Sequence, residues 1–239
     1  MRSAVGFVTR REWAFIAAVV IYSAVPTFGG LFRVAELLGA EATLPENPRA
    51  TALPLPIALH IVVSFVYCLL GALQFVPSVR RKHINLHRAA GRIVVVSGCV
   101  SALTGLWMTH YFTFPKELQG AALYWTRIVL SLSMIGLIVR AVLAARSRNI
   151  RRHSADMVRA YAIGQGASTQ AFLGIGWLLV AGVEATGMSR DVIMIGAWGV
   201  NLLVAELLIT RRLHVRSLRA AQRAPEPQLP VRSAGRGAP

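Results

Sequence analysis

Chemistry in this sequence rests on a few polar residues set among long apolar runs. His60, Gln74, His110, Arg127, Gln165, Gln170, Asn201 and Glu206 lie inside such runs, and His87, Arg92, His153 and Arg159 lie at their basic margins. An ionisable group at membrane depth is a functional candidate by default, because placing it there is costly. His87 and His153 each sit where a helix is expected to begin, and the positive end of the helix dipole there disfavours imidazolium. A neutral imidazole is a ligand for metal or haem iron. With His60 and His110 toward the opposite face, the four histidines are the set a two-site haem b carrier would need, Arg92 and Arg159 then neutralising the propionates. A plainer reading of the same histidines stands beside it, as interfacial caps or hydrogen-bond partners. His87 and His110 are 23 residues apart, about 34 Å along a helix, which exceeds the ~30 Å hydrocarbon core and puts both at its edges.

Glu206 admits a proton or cation site, or a salt bridge to Arg127 or to an arginine at the basic side, since a buried carboxylate must be paired or protonated. Gln165, Ser168, Thr169 and Gln170, with Gly164, Gly166, Gly174 and Gly176 nearby, are either the contact surface between helices or the wall of a cavity. The sequence holds no HExxH, GxSxG, P-loop or GxGxxG signature and no carboxylate pair at helical spacing, so no motif names a reaction. Cys68 and Cys99 lie in apolar runs without CxxC spacing and read as small core residues.

The elements that must position these side chains follow from composition. Of the 239 residues, 55% are hydrophobic and 15% charged, with a formal net charge of +16. Soluble domains carry about a quarter charged residues, so a soluble fold and a disordered nucleic-acid tail are both set aside. Six windows approach the ~20 apolar residues a membrane span needs: Trp13–Phe32, Ile57–Val79, Ile93–Phe112, Ala121–Val139, Ala160–Val183 and Val192–Thr210. A lone strand leaves its backbone unsatisfied in lipid, so each is expected to be helical. The expectation is an all-α bundle of six transmembrane helices occupying residues 1–213, followed by a basic, disordered tail over 214–239. The first window is longer than a signal-peptide core and reads as a retained helix, with Pro26, Gly29 and Gly30 bending or ending it. The Pro-rich segment Gly39–Pro56 reads as a re-entrant cover or a flexible loop.

Sorting the cations gives an orientation. With both termini cytoplasmic, 21 of the 26 Lys and Arg fall inside, leaving Arg33, Arg49, Lys116, Arg127 and Arg190 outside. This is the positive-inside pattern of a bacterial inner-membrane protein. Its partners would be the bilayer and anionic headgroups at the basic face, worth about 1 kcal/mol per cation near the surface, with no nucleic acid. The basic turns before His87 and His153 also echo each other, each with an arginine five or six residues further on, as a duplicated helical hairpin would.

Three stretches carry a family resemblance. A histidine opening a helix (His60), G-x-x-Q-F (Gly71 to Phe75), the Arg80–Arg81 pair, H-R-x-x-G-R (His87, Arg88, Gly91, Arg92) and H-x-x-x-M-x-R-x-Y-A (His153, Met157, Arg159) together resemble a bacterial membrane family known only as domain of unknown function two-three-zero-six. The closing NLLVAE ending at Glu206 fits its final helix, and the family-like core covers 57–210. The resemblance implies a polytopic membrane fold and a hallmark set of His60, Gln74, Arg80, His87, Arg88, Gly91, Arg92, His153, Met157, Arg159 and Glu206; it implies no activity. Where the family often has an arginine about a dozen residues past Met-x-Arg, this chain has Ser168, Thr169 and Gln170. Two functions therefore remain open: a haem- or cofactor-binding redox protein, or a non-redox transporter or sensor that binds an anionic lipid or metabolite at the His/Arg cluster. A structural membrane protein is the third.

Overall fold

The computed structural model describes residues 8–221. These form helices α1 (Arg10–Leu37), α2 (Pro48–Ala52), α3 (Pro54–Gln74), α4 (Pro77–Lys82), α5 (Ile84–Tyr111), α6 (Ala121–Arg146), α7 (Ile150–Gly164), α8 (Gly166–Ala181) and α9 (Gly187–Ala221), with no strand among the described residues. Five of them (α1, α3, α5, α6 and α9) are long and apolar enough to cross a membrane. Helix α9 runs on past residue 213 to Ala221; residues 222–239, the rest of the basic tail, lie outside the described residues.

Helix α1 begins with a capping box. Thr9 Oγ1 accepts from Glu12 N–H (3.3 Å) while the Glu12 carboxylate accepts from Thr9 N–H (2.8 Å), satisfying donors the first turn would otherwise leave open. The same carboxylate accepts from the Ser78 backbone (2.7 Å) and hydroxyl (2.6 Å), tying α1 to α4, where Val8, Val76 and Val79 close together. Of the expected bend or end near Pro26, the end does not form, because α1 continues as helix to Leu37. Packing explains it: Gly30 lies against Ile61 so closely that a Cβ there would come within 2.8 Å, and α3 thus holds the helix across the backbone bond that proline removes. Segment Gly39–Pro56 is an ordered cover, with Glu36 accepting from the Thr43 and Leu44 backbones (both 2.7 Å) and α2 within it.

Helices α3, α5, α6 and α7 make the centre, through Tyr67, Val94, Ala102, Met134, Ile138, Ala160 and Ile163. Tyr67 is a knob in a two-glycine hole: a Cβ on Gly98 or on Gly164 would stand 2.5 Å from its ring. Helix α1 packs on α3 and α8, and α9 on α7 and α8.

The fifth window departs most from expectation. A single helix over Ala160–Val183 does not form; α7 and α8 run in series, joined at Gln165 (φ −78°, ψ 3°). Together they still traverse the bundle. Helix α7 begins beside the end of α6, through Asn149 N–H to Ala144 O (2.8 Å), whereas α9 begins at the α5–α6 connection, through Gly187 N–H to Glu117 O (2.8 Å) and Gly120 N–H to Asp191 (3.1 Å). In an unbroken helix the Ala162 and Ile163 carbonyls would accept from the N–H groups four residues on. Here they accept from Asn201 Nδ2 (3.1 Å) and Trp198 Nε1 (3.1 Å) of α9. Gln165 completes the junction: its Oε1 accepts from Ser23 (3.1 Å) and Ser168 (2.9 Å), and its Nε2 donates to Tyr161 Oη (2.8 Å), which donates to Cys68 O (2.7 Å). Glycine is required at 166 because a Cβ there would collide with the Trp198 indole.

Removing the carbonyl partners should therefore cost more than removing surface contacts. Asn201→Leu or Trp198→Phe leaves one interior carbonyl unpaired and should destabilise by about 1–3 kcal/mol, read as a lower Tm of the detergent-solubilised protein. Val200→Ala, on the exposed face of the same helix, should stay within about 0.5 kcal/mol.

Candidate functional site

Two polar centres occupy opposite ends of the bundle. At the basic end, His87 and His153 each lie one turn inside their helices, with His87 N–H bonded to His83 O and His153 N–H to Asn149 O (both 3.0 Å). The structure brings these two together: each lies within electrostatic range of the other, and Arg80 and Arg88 also act on His87. His153 Nδ1 donates to Ala141 O (3.0 Å); a carbonyl only accepts, so in the neutral ring Nε2 keeps the lone pair. His87 Nδ1 is buried and has no hydrogen-bond partner, and the same holds for Gln74 Nε2. Gln74 Oε1 stands 3.3 Å from where a Cβ on Gly91 would be, one turn beyond His87, which accounts for the glycine in the H-R-x-x-G-R segment.

The arginines of this end divide. Arg159 forks onto Glu206, Nε to Oε1 at 2.5 Å and Nη2 to Oε2 at 2.8 Å, so the carboxylate of α9 is paired with an arginine of the basic side rather than with Arg127. Arg159 also reaches Asp156 (3.5 Å), as do Arg140 (3.3 Å) and Arg152 (3.8 Å). Asp156 is 1% exposed, and the three guanidinium groups tie α6 to α7 around it. Arg92 is exposed and lines a groove on the outside of the bundle, away from the histidine pair. Met157 packs against the central core, and Arg80 and Arg88 are exposed.

The four histidines do not fall into two facing pairs. His110 is exposed, with Nδ1 3.0 Å from Tyr124 Oη. His60, on α3, points into the bundle toward α5: its Nδ1 lies 3.0 Å from Ser101 O and 2.9 Å from Thr104 Oγ1, which again leaves Nε2 with the lone pair. Among the described residues no cluster of three or more His, Cys, Asp or Glu could hold a metal ion.

His60 lines the second centre, a cavity of about 400 Å³ between α1, α3, α5, α6 and α8. Its depth is bounded by Cys68, Met134 and the α7–α8 junction at Gly164, Ala167 and Ser168, and its wall carries the hydroxyls of Ser64, Ser101, Thr109 and Ser131 beside Gln170. At the mouth, Arg49 and Arg127 both stand over the Phe114 ring, 4.8 and 5.4 Å from its centroid. Arg127 is steadied by Gln119. Neither guanidinium forms an ion pair among the described residues, and the nearby carboxylate, Asp191, is buried on the Gly120 backbone. Sequence reasoning named His60, Arg127 and Gln170 but did not join Arg49 to Phe114, because both sit in connecting segments that no periodicity relates.

The carboxylates of the basic end are predicted to differ in weight. Asp156→Ala removes the anion on which Arg140 and Arg152 converge; because those guanidinium groups are 52% and 57% exposed and Arg159 keeps Glu206, the cost should be about 1–3 kcal/mol. Glu206→Gln, in a half-exposed pair, should cost about 1 kcal/mol or less. Thermal unfolding in detergent orders the two. No curated protein and no solved structure matches the chain. The motifs gathered at the basic end do have a family: residues 57–209, more than half of the chain, match DUF2306, described as a predicted membrane protein, and the chain belongs to that family.

Proposed function

We propose that this protein is a non-redox membrane binding protein, a carrier or sensor, that takes a small amphipathic anion into the interhelical cavity. The observation that carries the reading is the pair Arg49 and Arg127 on one aromatic ring, with no ion pair among the described residues and Asp191 acting on Arg127 only at longer range, at the mouth of an otherwise apolar and hydroxyl-lined cavity. Two cations held against one ring repel each other, and an anionic head between them relieves that repulsion while an apolar tail fills the space below. The N-terminus of α8 at the cavity floor adds a positive dipole end, as discontinuous helices do in carriers. The His/Arg cluster at the basic end is less suited to an anion, since Arg159 is already neutralised by Glu206 and Asp156. In this reading α7 and α8 make one interrupted crossing, giving six, and the basic end faces the cytoplasm of a bacterial inner membrane.

Thermal unfolding with octanoate tests the reading, octanol serving as the neutral control. Octanoate should raise the Tm, corresponding to about 2.7 kcal/mol when its concentration is a hundred times Kd, and octanol should not. The shift should vanish in Arg49→Gln/Arg127→Gln, and in Gly105→Leu, which fills the cavity beside His60. Equal stabilisation by both compounds, or an unchanged shift in the arginine variant, refutes it.

A second reading rests on the His87–His153 pair, which holds one anchored and one unpartnered ring nitrogen within mutual range. These two residues would hold haem b, and the group would supply one-electron chemistry. Protein from haem-replete cells should then show a reducible Soret band that His87→Ala and His153→Ala each abolish; a colourless preparation removes this reading.

A further inference from the structure

A second binding place lies on the outside of the bundle, apart from the cavity. Between α3 and α5 runs a groove of about 410 Å³ lined by Val63, Val66, Arg92, Ile93, Val96 and Val100. Its floor is closed by Ser97, which is buried and donates to Val94 O (3.2 Å), so no polar group is left open inside it. Ile93 and Val96 are 50% and 63% exposed, which makes the groove wall an uncovered apolar surface.

The position of the arginine gives the groove a direction. Within α5 the run from Ile93 to the helix end at Tyr111 is about 27 Å at the helical rise, close to the ~30 Å thickness of the hydrocarbon core. Arg92 therefore stands at the level where hydrocarbon gives way to headgroups, and from there the groove rises about 12 Å along α5 to Val100. Arg88 is one turn below Arg92 on the same helix face. Both are exposed, and neither forms an ion pair or hydrogen bond among the described residues. Two unpaired cations at headgroup depth, directly below an acyl-wide apolar channel, match the two parts of one kind of molecule.

We infer that this groove binds an anionic glycerophospholipid, its phosphate on Arg88 and Arg92 and one acyl chain lying along Val63, Val66, Ile93, Val96 and Val100. Zwitterionic lipid fits the channel but not the charge. A second copy of this chain is disfavoured, because its own Arg88 and Arg92 would face the same arginines across a two-fold contact.

The full-length protein, delipidated in detergent and offered equal amounts of phosphatidylglycerol and phosphatidylcholine of identical chains, can be read by native mass spectrometry. The wild type should retain phosphatidylglycerol preferentially, with about five-fold preference for each arginine engaged. Arg88→Gln/Arg92→Gln should bind the two lipids equally. Val96→Trp, which fills the channel and leaves both charges, should lose the retained lipid of either headgroup. Gly105→Leu, in the cavity, should change nothing here, so this result and the octanoate result stand or fall separately. Equal retention by the wild type, preference surviving in the double variant, or a dimer that Val96→Trp abolishes would overturn the assignment.

Discussion

Away from water every backbone carbonyl needs a donor, and this structure is arranged around a junction where the helical ladder does not supply it. At Gln165 the chain leaves the helical path, and the Ala162 and Ile163 carbonyls are met by Asn201 and Trp198. That requirement fixes α9 against α7 at two points, forbids a side chain at Gly166, and recruits Ser23 of α1 and Cys68 of α3 through the Gln165–Tyr161 chain. Thr169 extends the network to Asn201 (2.6 Å) and Tyr22. Helices α1, α3, α7 and α9 are thus registered on one junction. An unsatisfied interior carbonyl costs several kcal/mol in lipid, so these side chains are a condition of the break rather than an ornament to it.

Charge is handled differently at the two ends. At the basic end an almost fully buried carboxylate, Asp156, draws in three arginines, and Glu206 takes the fork of one of them. The arrangement is internally balanced and reads as a lock between α6, α7 and α9. At the other end Asp191 is bonded to the Gly120 backbone, and Arg49 and Arg127 share an aromatic face, a gain of roughly 0.5–2 kcal/mol each, with Arg190 adding like charge beside Arg127. An anion has an electrostatic reason to enter the bundle at that end, whereas Arg88 and Arg92 of the basic end, unpaired among the described residues, lie on its outer face. This contrast, more than the number of arginines, separates a binding site from a structural one.

How far the sequence alone reaches depends on the range of each interaction. Spans α1, α3, α5, α6 and α9 are legible because a bilayer demands long apolar runs, a local property. The nearness of His87 and His153 is legible because helices of alternating direction return to the same depth. Arg92 is the opposite case: the sequence reading sets it beside His87, yet five residues on, at 3.6 per turn, it lies some 140° round the helix and lines the outer groove. That Glu206 needs an arginine follows from desolvation, but which one depends on helix order around the bundle. The break at Gln165 is signalled locally by glycines on both sides, yet those glycines equally suit close helix packing, and only Trp198, more than 30 residues away, decides between them. The continuation of α1 through Pro26 is the reverse case, where neighbouring packing overrides a local rule.

The cavity and the break are one feature seen from two sides. Part of its wall is already satisfied within the protein: Ser64 pairs with Ser101 (2.6 Å) and Ser168 with Gln165 (2.9 Å). Such a wall makes few demands on an occupant and accepts an apolar tail without stranding polar groups. Specificity is therefore concentrated where partners are missing, at the Arg49–Arg127 mouth and at the Nε2 of His60. An occupant reaching from that mouth to the floor would touch Ala167 and Ser168 at the start of α8, two and three residues past the Gln165 junction that registers α1, α3, α7 and α9. Binding at one end of the cavity is in this way coupled, by contact alone, to the element on which the rest of the bundle is hung.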